Sequence, residues 1–311
     1  MMSQCHVNNE TRIRAFLLLG LSNIRIVQQL LFGIFSLIYV FTVMGNILII
    51  IIVTTESKLC SPMYFFLRHL SLTEIFYISV TVPRMLKDFV HHDKCISFVE
   101  CATQLYFFCF LGTTECFTLA VMAYDRYVAI CSPLLYTSIM TVCIRIVTGT
   151  FLIAMFISIG QITFVFSLPF CGPNEIDHFF CDLLPVVKLI CADTYTNEIT
   201  ILLYGSLVIF APFVLILISY IKILAAVLGI RSSTEQHKAY STCSSHLTSV
   251  SLFYGTAIVT YLRTKSSYTH KGSKILSLLY SVLIPMLNPL IYSLRNSQVK
   301  TAIKALFKIK V

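Results

Sequence analysis

Apolar residues run along this chain in stretches far longer than a soluble core requires. A helix needs about 20 largely apolar residues to cross a bilayer, and five stretches of at least this length contain no Asp, Glu, Lys or Arg. Two further spans appear when a few ionisable residues are tolerated, about 62–82 with Glu74 and about 101–124 with Glu115. The pattern predicts seven membrane-spanning helices. The charge-free stretches are 26–55, 146–174, 199–221, 239–262 and 275–294.

Composition narrows the class of protein further. Hydrophobic residues make up 57% of the chain and charged residues only 12%, where a soluble domain carries about 25% charged residues. The mean hydropathy is +0.83. These values exclude an ordinary soluble enzyme and predict an all-α membrane protein. Because seven spans leave only short connections, we expect one domain over 1–311, with a bundle at about 26–294, an outer segment 1–25 and an inner tail 295–311.

The chain carries a formal charge of +9, which raises the question of a nucleic-acid partner. The basic residues are scattered through short loops and the tail, so we expect a membrane surface and no nucleic acid as their partner. The sequence of the tail predicts an amphipathic helix that lies on the anionic lipid of the inner membrane surface. Its apolar face holds Val299, Ile303, Leu306 and Phe307, and Lys300, Lys304 and Lys308 repeat on another face.

The orientation of the chain in the membrane is predicted from features other than charge, because the Lys and Arg residues divide almost evenly between the two sides of the membrane. Asn9-Glu10-Thr11 is a glycosylation acceptor sequence, and the loop after span four holds three cysteines at ten-residue spacing. Glycans and disulfides belong to the outer space, so the amino terminus is expected outside. Cys101, at the outer end of span three, makes a fourth cysteine, and four cysteines permit three pairings. The loop cysteines are Cys171, Cys181 and Cys191.

Five short motifs follow one another along the predicted spans. They read PMYFFL at 62–67, MAYDRYVAIC at 122–131, SY at 219–220, KAYSTCSSHL at 238–247 and PMLNPLIY at 285–292. Together they resemble the motifs of olfactory receptors of the tetrapod branch, within the rhodopsin-like class of G-protein-coupled receptors. The resemblance covers nearly the whole chain, and five motifs in this order make a chance match negligible.

The resemblance implies a function and a location. A receptor of this family resides in the plasma membrane, binds an odorant, activates a stimulatory, olfactory-type heterotrimeric G protein and raises cAMP; it is not an enzyme and needs no cofactor. We expect the disulfides Cys101–Cys181 and Cys171–Cys191. The residues implied in the switch that reaches the G protein are Asp125, Arg126, Tyr127, Tyr220, His246 and Tyr292.

Two acidic residues within the predicted spans need a partner, since an unpaired charge at membrane depth costs a few kcal/mol. Glu74 and Glu115 lie at similar depth above the inner face, by a rise of about 1.5 Å per residue. Asn46 and Asn288 reach the same inner half. This set predicts a site for a sodium ion or a shared proton, and the alternative is a hydrogen-bond network that joins helices.

The ligand site is predicted two to four turns below the outer end of span three. No aspartate occurs in the predicted lining, which argues against an amine ligand. The lining is apolar and aromatic with a few hydroxyls, so we expect a small, neutral, hydrophobic volatile. The predicted lining residues are Leu105, Phe108, Cys109, Gly112, Thr113, Tyr204, Val208, Tyr254 and Tyr261.

The same residues are open to three other interpretations. A secondary transporter could use the two buried acids, but the chain lacks the inverted repeats of many transporters. The same receptor fold could serve a non-odorant ligand in another tissue. His178 and Asp182 flank Cys181 like metal ligands, but a thiolate held in a disulfide cannot bind metal, so no metal beyond the possible sodium is expected.

Overall fold

The structure of the protein is a computed structural model. It describes residues 14–56, 59, 61–91, 94–132, 140–171, 174–191, 194–230, 232–262 and 270–306. Long helices dominate these ranges, and seven of them, counting one composite helix, form the bundle. They are α1 (Arg25–Thr55), α2 (Pro62–Val90), α3 (Phe98–Cys131), α4 (Met140–Ser167), α6 (Thr194–Leu228), α7 (Ser233–Leu262) and the composite of α8 (His270–Leu278), a π-helical segment (Leu279–Leu283) and α9 (Ile284–Arg295).

Six of these helices, within the residues that the structure describes, are long and apolar enough to cross a membrane. The exception is α7, whose many Ser and Thr side chains lower its hydropathy. It nevertheless packs against α3, α6 and α9. The expected seven-helix membrane bundle is confirmed. Several helices extend past the predicted spans: α2 continues to Val90, and α6 runs from Thr194 to Leu228.

Helix α3 is the axis of the bundle, since α2, α4, α6 and α7 all pack against it. Its start is set locally by a capping box. The backbone N–H of Glu100 donates to Ser97 Oγ at 3.2 Å, and the backbone N–H of Ser97 donates to a Glu100 carboxylate oxygen at 2.9 Å. Each satisfies an N–H that the first turn would leave unpaired. This start fixes Cys101 in the first turn, at the outer end of the bundle.

The seventh helix changes its winding above a proline. Pro285 has no backbone N–H, and the π-helical segment Leu279–Leu283 lies directly before it. Helix α1 packs closely against α9, the inner part of this composite helix: a Cβ placed on Gly45 would lie 3.3 Å from Pro289 Cβ. Glycine at this position therefore lets α1 approach α9, which brings the neighbouring Asn46 into the interior.

A small sheet closes the outer end, which the sequence pattern did not predict. Its central strand is β1 (Ala15–Leu18), which pairs antiparallel with β2 (Cys95–Ser97) and parallel with β3 (Glu175–Ile176). Phe16 and Leu18 are fully buried in the outer hydrophobic core. The segment before α1 is thus a structural part of the outer surface.

Two disulfides hold the loop after α4 over the bundle. Cys101 is joined to Cys181, and Cys171 to Cys191. Gln104 adds a third attachment: it donates to the Val80 carbonyl at 2.9 Å and accepts from the Cys181 N–H at 3.0 Å. The short helix α5 (Leu183–Val187) follows at once. We call residues 174–191 the lid.

The tail forms helix α10 (Ser297–Leu306). Asn296 caps it by accepting hydrogen bonds from the N–H groups of Gln298 and Val299 at 3.1 and 3.2 Å. Val299 is fully buried and Lys300 is exposed, which is the two-faced arrangement that the sequence predicted. Phe307 and Lys308 lie outside the described residues.

Candidate functional site

A cavity lies beneath the lid, in the outer half of the bundle. Its wall on α3 consists of residues 108, 109, 112, 113 and 116, which share one face because a helix repeats about every 3.6 residues. The other walls come from α2, α4, α6, α7, the π-helical segment and the lid. They are Tyr77, Gln161, Asp182, Leu184, Gly205, Val208, Ile209, Phe253, Ala257, Thr260 and Tyr280.

The cavity includes five of the nine residues that the sequence placed in the ligand site. Four lie on α3 and one on α6. The helical period identified the four on α3, because the prediction counted turns down from Cys101 on the face toward the bundle. The five residues are Phe108, Cys109, Gly112, Thr113 and Val208.

Three of the predicted lining residues lie elsewhere, which corrects that part of the prediction. Leu105 is fully buried in the outer core, one turn above the cavity wall. Tyr204 is 42% exposed and lies near Gly160 of α4, on the outer surface of the bundle. Tyr254 is buried lower down, where its hydroxyl donates to the Cys116 carbonyl at 3.1 Å. The side chain of Tyr261 lies outside the described residues.

The lid adds to the cavity wall an acidic residue that the predicted lining did not include. Asp182 lines the cavity beside Tyr280, whereas the lining residues predicted from the sequence include no aspartate. It was missed because the prediction considered only helix faces, whereas Asp182 reaches the cavity through the disulfide that pulls its neighbour Cys181 onto α3. The adjacency of Asp182 to a predicted disulfide cysteine was the one available signal.

The predicted cation residues are all buried in the inner half of the bundle. Asn288 donates to a Glu74 carboxylate oxygen and accepts from Ser249 Oγ, the latter at 2.7 Å. Asn46 donates to the carbonyls of Thr42 and Pro285. In the described structure, one side-chain oxygen each of Asn46, Glu74 and Glu115 has no hydrogen-bond partner. The structure joins Glu74 and Asn288 directly, and it leaves three buried oxygens available to a ligand.

Arg126 lies at the inner end of α3 and pairs with its neighbour. Its Nη2 is 2.9 Å from the Asp125 carboxylate, and both residues are buried. A buried guanidinium paired within its own helix presents no free charge to the inner surface. Tyr127, next in the motif, faces Lys222 of α6, whose ammonium lies 5.3 Å from the ring centre.

Tyr220 and His246 form a bridge across three helices. The Tyr220 hydroxyl lies 2.6 Å from His246 Nδ1, and His246 Nε2 lies 3.1 Å from the Leu119 carbonyl. A neutral imidazole that donates to the carbonyl and accepts from the hydroxyl satisfies all these groups. The bridge connects α6, α7 and α3. Tyr292 is also buried nearby in the same inner core.

The remaining predicted sites differ in what the structure says about them. Asn9, the expected glycosylation site, lies outside the described residues. Cys181 is held in its disulfide, so it offers no thiolate beside His178. Among the described residues, no group of three His, Cys, Asp or Glu side chains is arranged to hold a metal ion.

Comparison with known proteins gives one consistent result. The sequence model of a protein family described as olfactory receptor matches residues 35–310. Olfactory receptor 10A7 of Homo sapiens is 49% identical over 305 residues, which is 97% of this chain and 96% of the relative. Olfactory receptor 10C1 of Homo sapiens is 50% identical, with coverages of 95% and 96%. Olfactory receptor 9S13 of Mus musculus is 46% identical, with coverages of 94% and 89%.

Proposed function

We propose, from the premise that this chain belongs to the olfactory receptor family, that it binds a small, neutral, hydrophobic volatile in the cavity beneath the lid. Family membership makes it a multi-pass, G-protein-coupled odorant receptor and not an enzyme. This also removes the transporter interpretation. The observation that carries the ligand proposal is the cavity itself, whose wall combines aromatic and aliphatic side chains such as Phe108, Val208 and Phe253.

The expected affinity follows from the size of the ligand. Burial of apolar surface contributes about 25 cal/mol per Å², and a volatile of about ten heavy atoms has little surface to bury. After the entropic cost of association, only a few kcal/mol remain. Micromolar or weaker binding is therefore expected, together with strong sensitivity to the shape of the cavity.

The ligand proposal is tested with a chemically diverse panel of volatiles on cells that report cAMP. Leucine at position 112 would project into the cavity, because Gly112 lines it and a Cβ there would lie 3.6 Å from the Tyr77 ring. Gly112→Leu should lower potency at least tenfold. Gly149→Leu is the matched control, since a Cβ at Gly149 meets nothing within 4 Å. Equal potency in the two variants would refute this location for the ligand.

For signalling, we propose that Arg126 leaves Asp125 on activation and contacts a stimulatory, olfactory-type G protein. The buried pair supports this, because the charge of Arg126 is neutralised by Asp125 and is not exposed at the inner surface in this resting state. Arg126→Ala should abolish the cAMP response while surface display remains. Arg145→Ala, which removes an exposed arginine, should leave the response intact. A full response from Arg126→Ala would contradict the proposal.

The proposed orientation in the plasma membrane has the amino terminus outside and the tail in the cytoplasm. It is supported by the position of β1, which lies in one sheet with the lid whose cysteines are oxidised, since disulfides persist outside the cytosol. Staining of an amino-terminal epitope on intact cells tests it. Staining that requires permeabilised cells would refute it.

In the inner half, we propose that Asn46, Glu74, Glu115 and Asn288 hold a sodium ion in the resting receptor. The three buried oxygens without hydrogen-bond partners support this. A ligand that binds one state better stabilises that state, so sodium should raise the agonist concentration needed for activation. Glu115→Gln should remove this dependence when sodium is replaced by choline. Glu175→Gln, at an exposed lid residue, is the control. Unchanged sodium sensitivity in Glu115→Gln would leave the hydrogen-bond network as the explanation.

A further inference from the structure

Asp182 brings a carboxylate into a cavity that is otherwise lined mainly by apolar and aromatic groups. It follows Cys181 in the lid and is only 8% exposed. Tyr280 lines the same part of the wall. A buried carboxylate is costly unless its oxygens receive hydrogen bonds or a positive charge. The hydrogen bonds and charges that already reach the Asp182 carboxylate therefore indicate which interaction a ligand can contribute to it.

The groups around Asp182 are hydrogen-bond donors. Its Oδ1 accepts from the Leu183 N–H at 2.8 Å, which caps α5, and its Oδ2 accepts from the Tyr280 hydroxyl at 2.5 Å. Ser277 Oγ lies 3.3 Å from Oδ2 but 2.8 Å from the Tyr280 oxygen, and it has one proton to give. A carboxylate has about four acceptor positions. Two strong bonds and one shared donor leave it able to accept another hydrogen bond.

Within the part of the chain that the structure describes, no full positive charge balances this carboxylate. Of the basic side chains that the structure describes, only His178 comes within 4.0 Å, at 3.9 Å. Burial lowers the pKa of His178 to about 4, so its ring is neutral at pH 7. Lys274 is engaged elsewhere, with Asp177 at 2.6 Å and the Gly20 carbonyl at 2.8 Å. The carboxylate is thus held by neutral donors, and an added donor would strengthen its stabilisation.

We propose that Asp182 accepts a hydrogen bond from the ligand, and that the receptor thereby selects hydrophobic alcohols. This inference rests on the proposed function and narrows its ligand class. A hydroxyl brings one donor, which matches the remaining acceptor capacity. An ammonium group would supply the missing positive charge, but it brings three donors where the carboxylate can accept about one more hydrogen bond, and its charge must be desolvated. A carboxylic acid ionised at pH 7 would place a second negative charge beside Asp182.

The test uses two carbon skeletons, each with several head groups. The probes are 1-octanol and 2-phenylethanol, with the methyl ether, primary amine and carboxylic acid of each. A hydrogen bond to a charged group corresponds to at least about tenfold in an equilibrium constant. In the unmodified receptor the alcohols should therefore be at least tenfold more potent than their ethers. The acids should be inactive, and the amines should be weaker than the alcohols.

Asp182→Asn keeps the shape and an oxygen to cap α5, but it removes the charge. It should reduce the preference for alcohol over ether to less than threefold. Glu175→Gln removes an exposed charge from the same lid and should leave the preference unchanged. Tyr280→Phe provides a second, independent variant, because losing a competing donor should increase the preference. The Tyr280→Phe variant tests the proposal even if the Asp182→Asn variant does not reach the cell surface.

The outcomes separate this inference from the proposed function. Neutral volatiles that activate the receptor with alcohols and ethers equally potent would overturn the inference alone. The same holds for amines stronger than alcohols, for a preference that survives Asp182→Asn, and for one that Tyr280→Phe leaves unchanged. A receptor that no neutral volatile activates would overturn the proposed function, and this inference with it.

Discussion

At the scale of single residues, the lid shows how burial sets the charge of a side chain. His178 is 1% exposed and stacks on Phe179 with ring centroids 4.5 Å apart. Phe180 meets it edge-on at 4.8 Å. Water cannot stabilise an imidazolium there, and burial lowers the pKa of His178 to about 4. The lid is therefore built around a neutral ring.

Stability should fall in acid because of His178. A histidine in the unfolded chain has a pKa of about 6.5. Below that pH, His178 binds a proton in the unfolded chain but stays neutral in the folded lid. The free energy of unfolding should drop by roughly 3 kcal/mol as the pH falls from about 6.5 to about 4. Nearby Asp182 and Asp177 favour the proton and Lys274 opposes it, but desolvation is the largest effect.

Thermal unfolding of the purified receptor between pH 7 and pH 4.5 measures this effect. His178→Phe keeps an aromatic ring without a proton to bind, so its melting temperature should depend less on pH than that of the unmodified protein. His91→Phe, at an exposed position, should behave like the unmodified protein. Parallel pH profiles for all three proteins would show that His178 does not limit stability in acid.

At the scale of elements, β1 joins parts of the chain that are far apart in sequence. It hydrogen-bonds to β2 on one side and to β3 on the other. Phe16 packs against Phe98 and Phe170, with ring centroids 6.0 and 5.7 Å apart. The strand therefore connects the outer ends of α3 and α4 to the lid. Residues 15–18 are therefore an integral part of the outer core.

Loss of the Phe16 side chain should accordingly weaken the whole outer surface. Phe16→Ala removes a fully buried ring, and such changes typically cost about 3–5 kcal/mol. We expect surface display to fall sharply and the melting temperature to decrease. Phe156→Ala is the matched control because Phe156 is 66% exposed on α4, and it should change neither. Similar losses in both variants would mean that the effect is not specific to this strand.

At the scale of the whole molecule, one of the attachments that hold the lid is a covalent bond to the central helix α3. The bond between Cys101 and Cys181 joins residues 80 positions apart. Closing a loop of this length in the unfolded chain is worth roughly 4–5 kcal/mol on the chain-entropy estimate. It also sets the position of Asp182 in the cavity. The lid's position and the shape of the cavity therefore depend on the same bond.

Serine substitutions at this pair should be strongly non-additive. Cys101→Ser and Cys181→Ser each break the same bond, so each should retain most of the protein inside the cell, and the double variant should be no worse than either. Surface staining and thermal stability provide the two measurements. Cys131→Ser, at a free and half-buried cysteine, should be displayed normally. Additive losses would indicate that the two cysteines act independently.

The sequence predicted what depends on local composition and on order along the chain. Seven spans and the inward face of α3 follow from hydropathy and helical period, because the bilayer penalises polar groups segment by segment. The charged motif around Arg126 was identified by its resemblance to the motifs of a receptor family. Phe108 and Gly112, which the helical period placed in the ligand site, line the cavity. The prediction failed where a side chain's surroundings come from distant segments, as for Tyr204 and Tyr254.

What the sequence by itself determined is the class of protein: a bundle of seven membrane helices whose motifs are those of an odorant receptor. Tertiary structure decided how the outer end is closed and which groups meet the ligand. The strand β1 has no neighbour in sequence that reveals its partners, and Asp182 lines the cavity from a lid that a disulfide joins to α3. Strand pairing and loop placement depend on contacts between residues far apart in the chain, and a local pattern of apolar and polar positions carries no record of them.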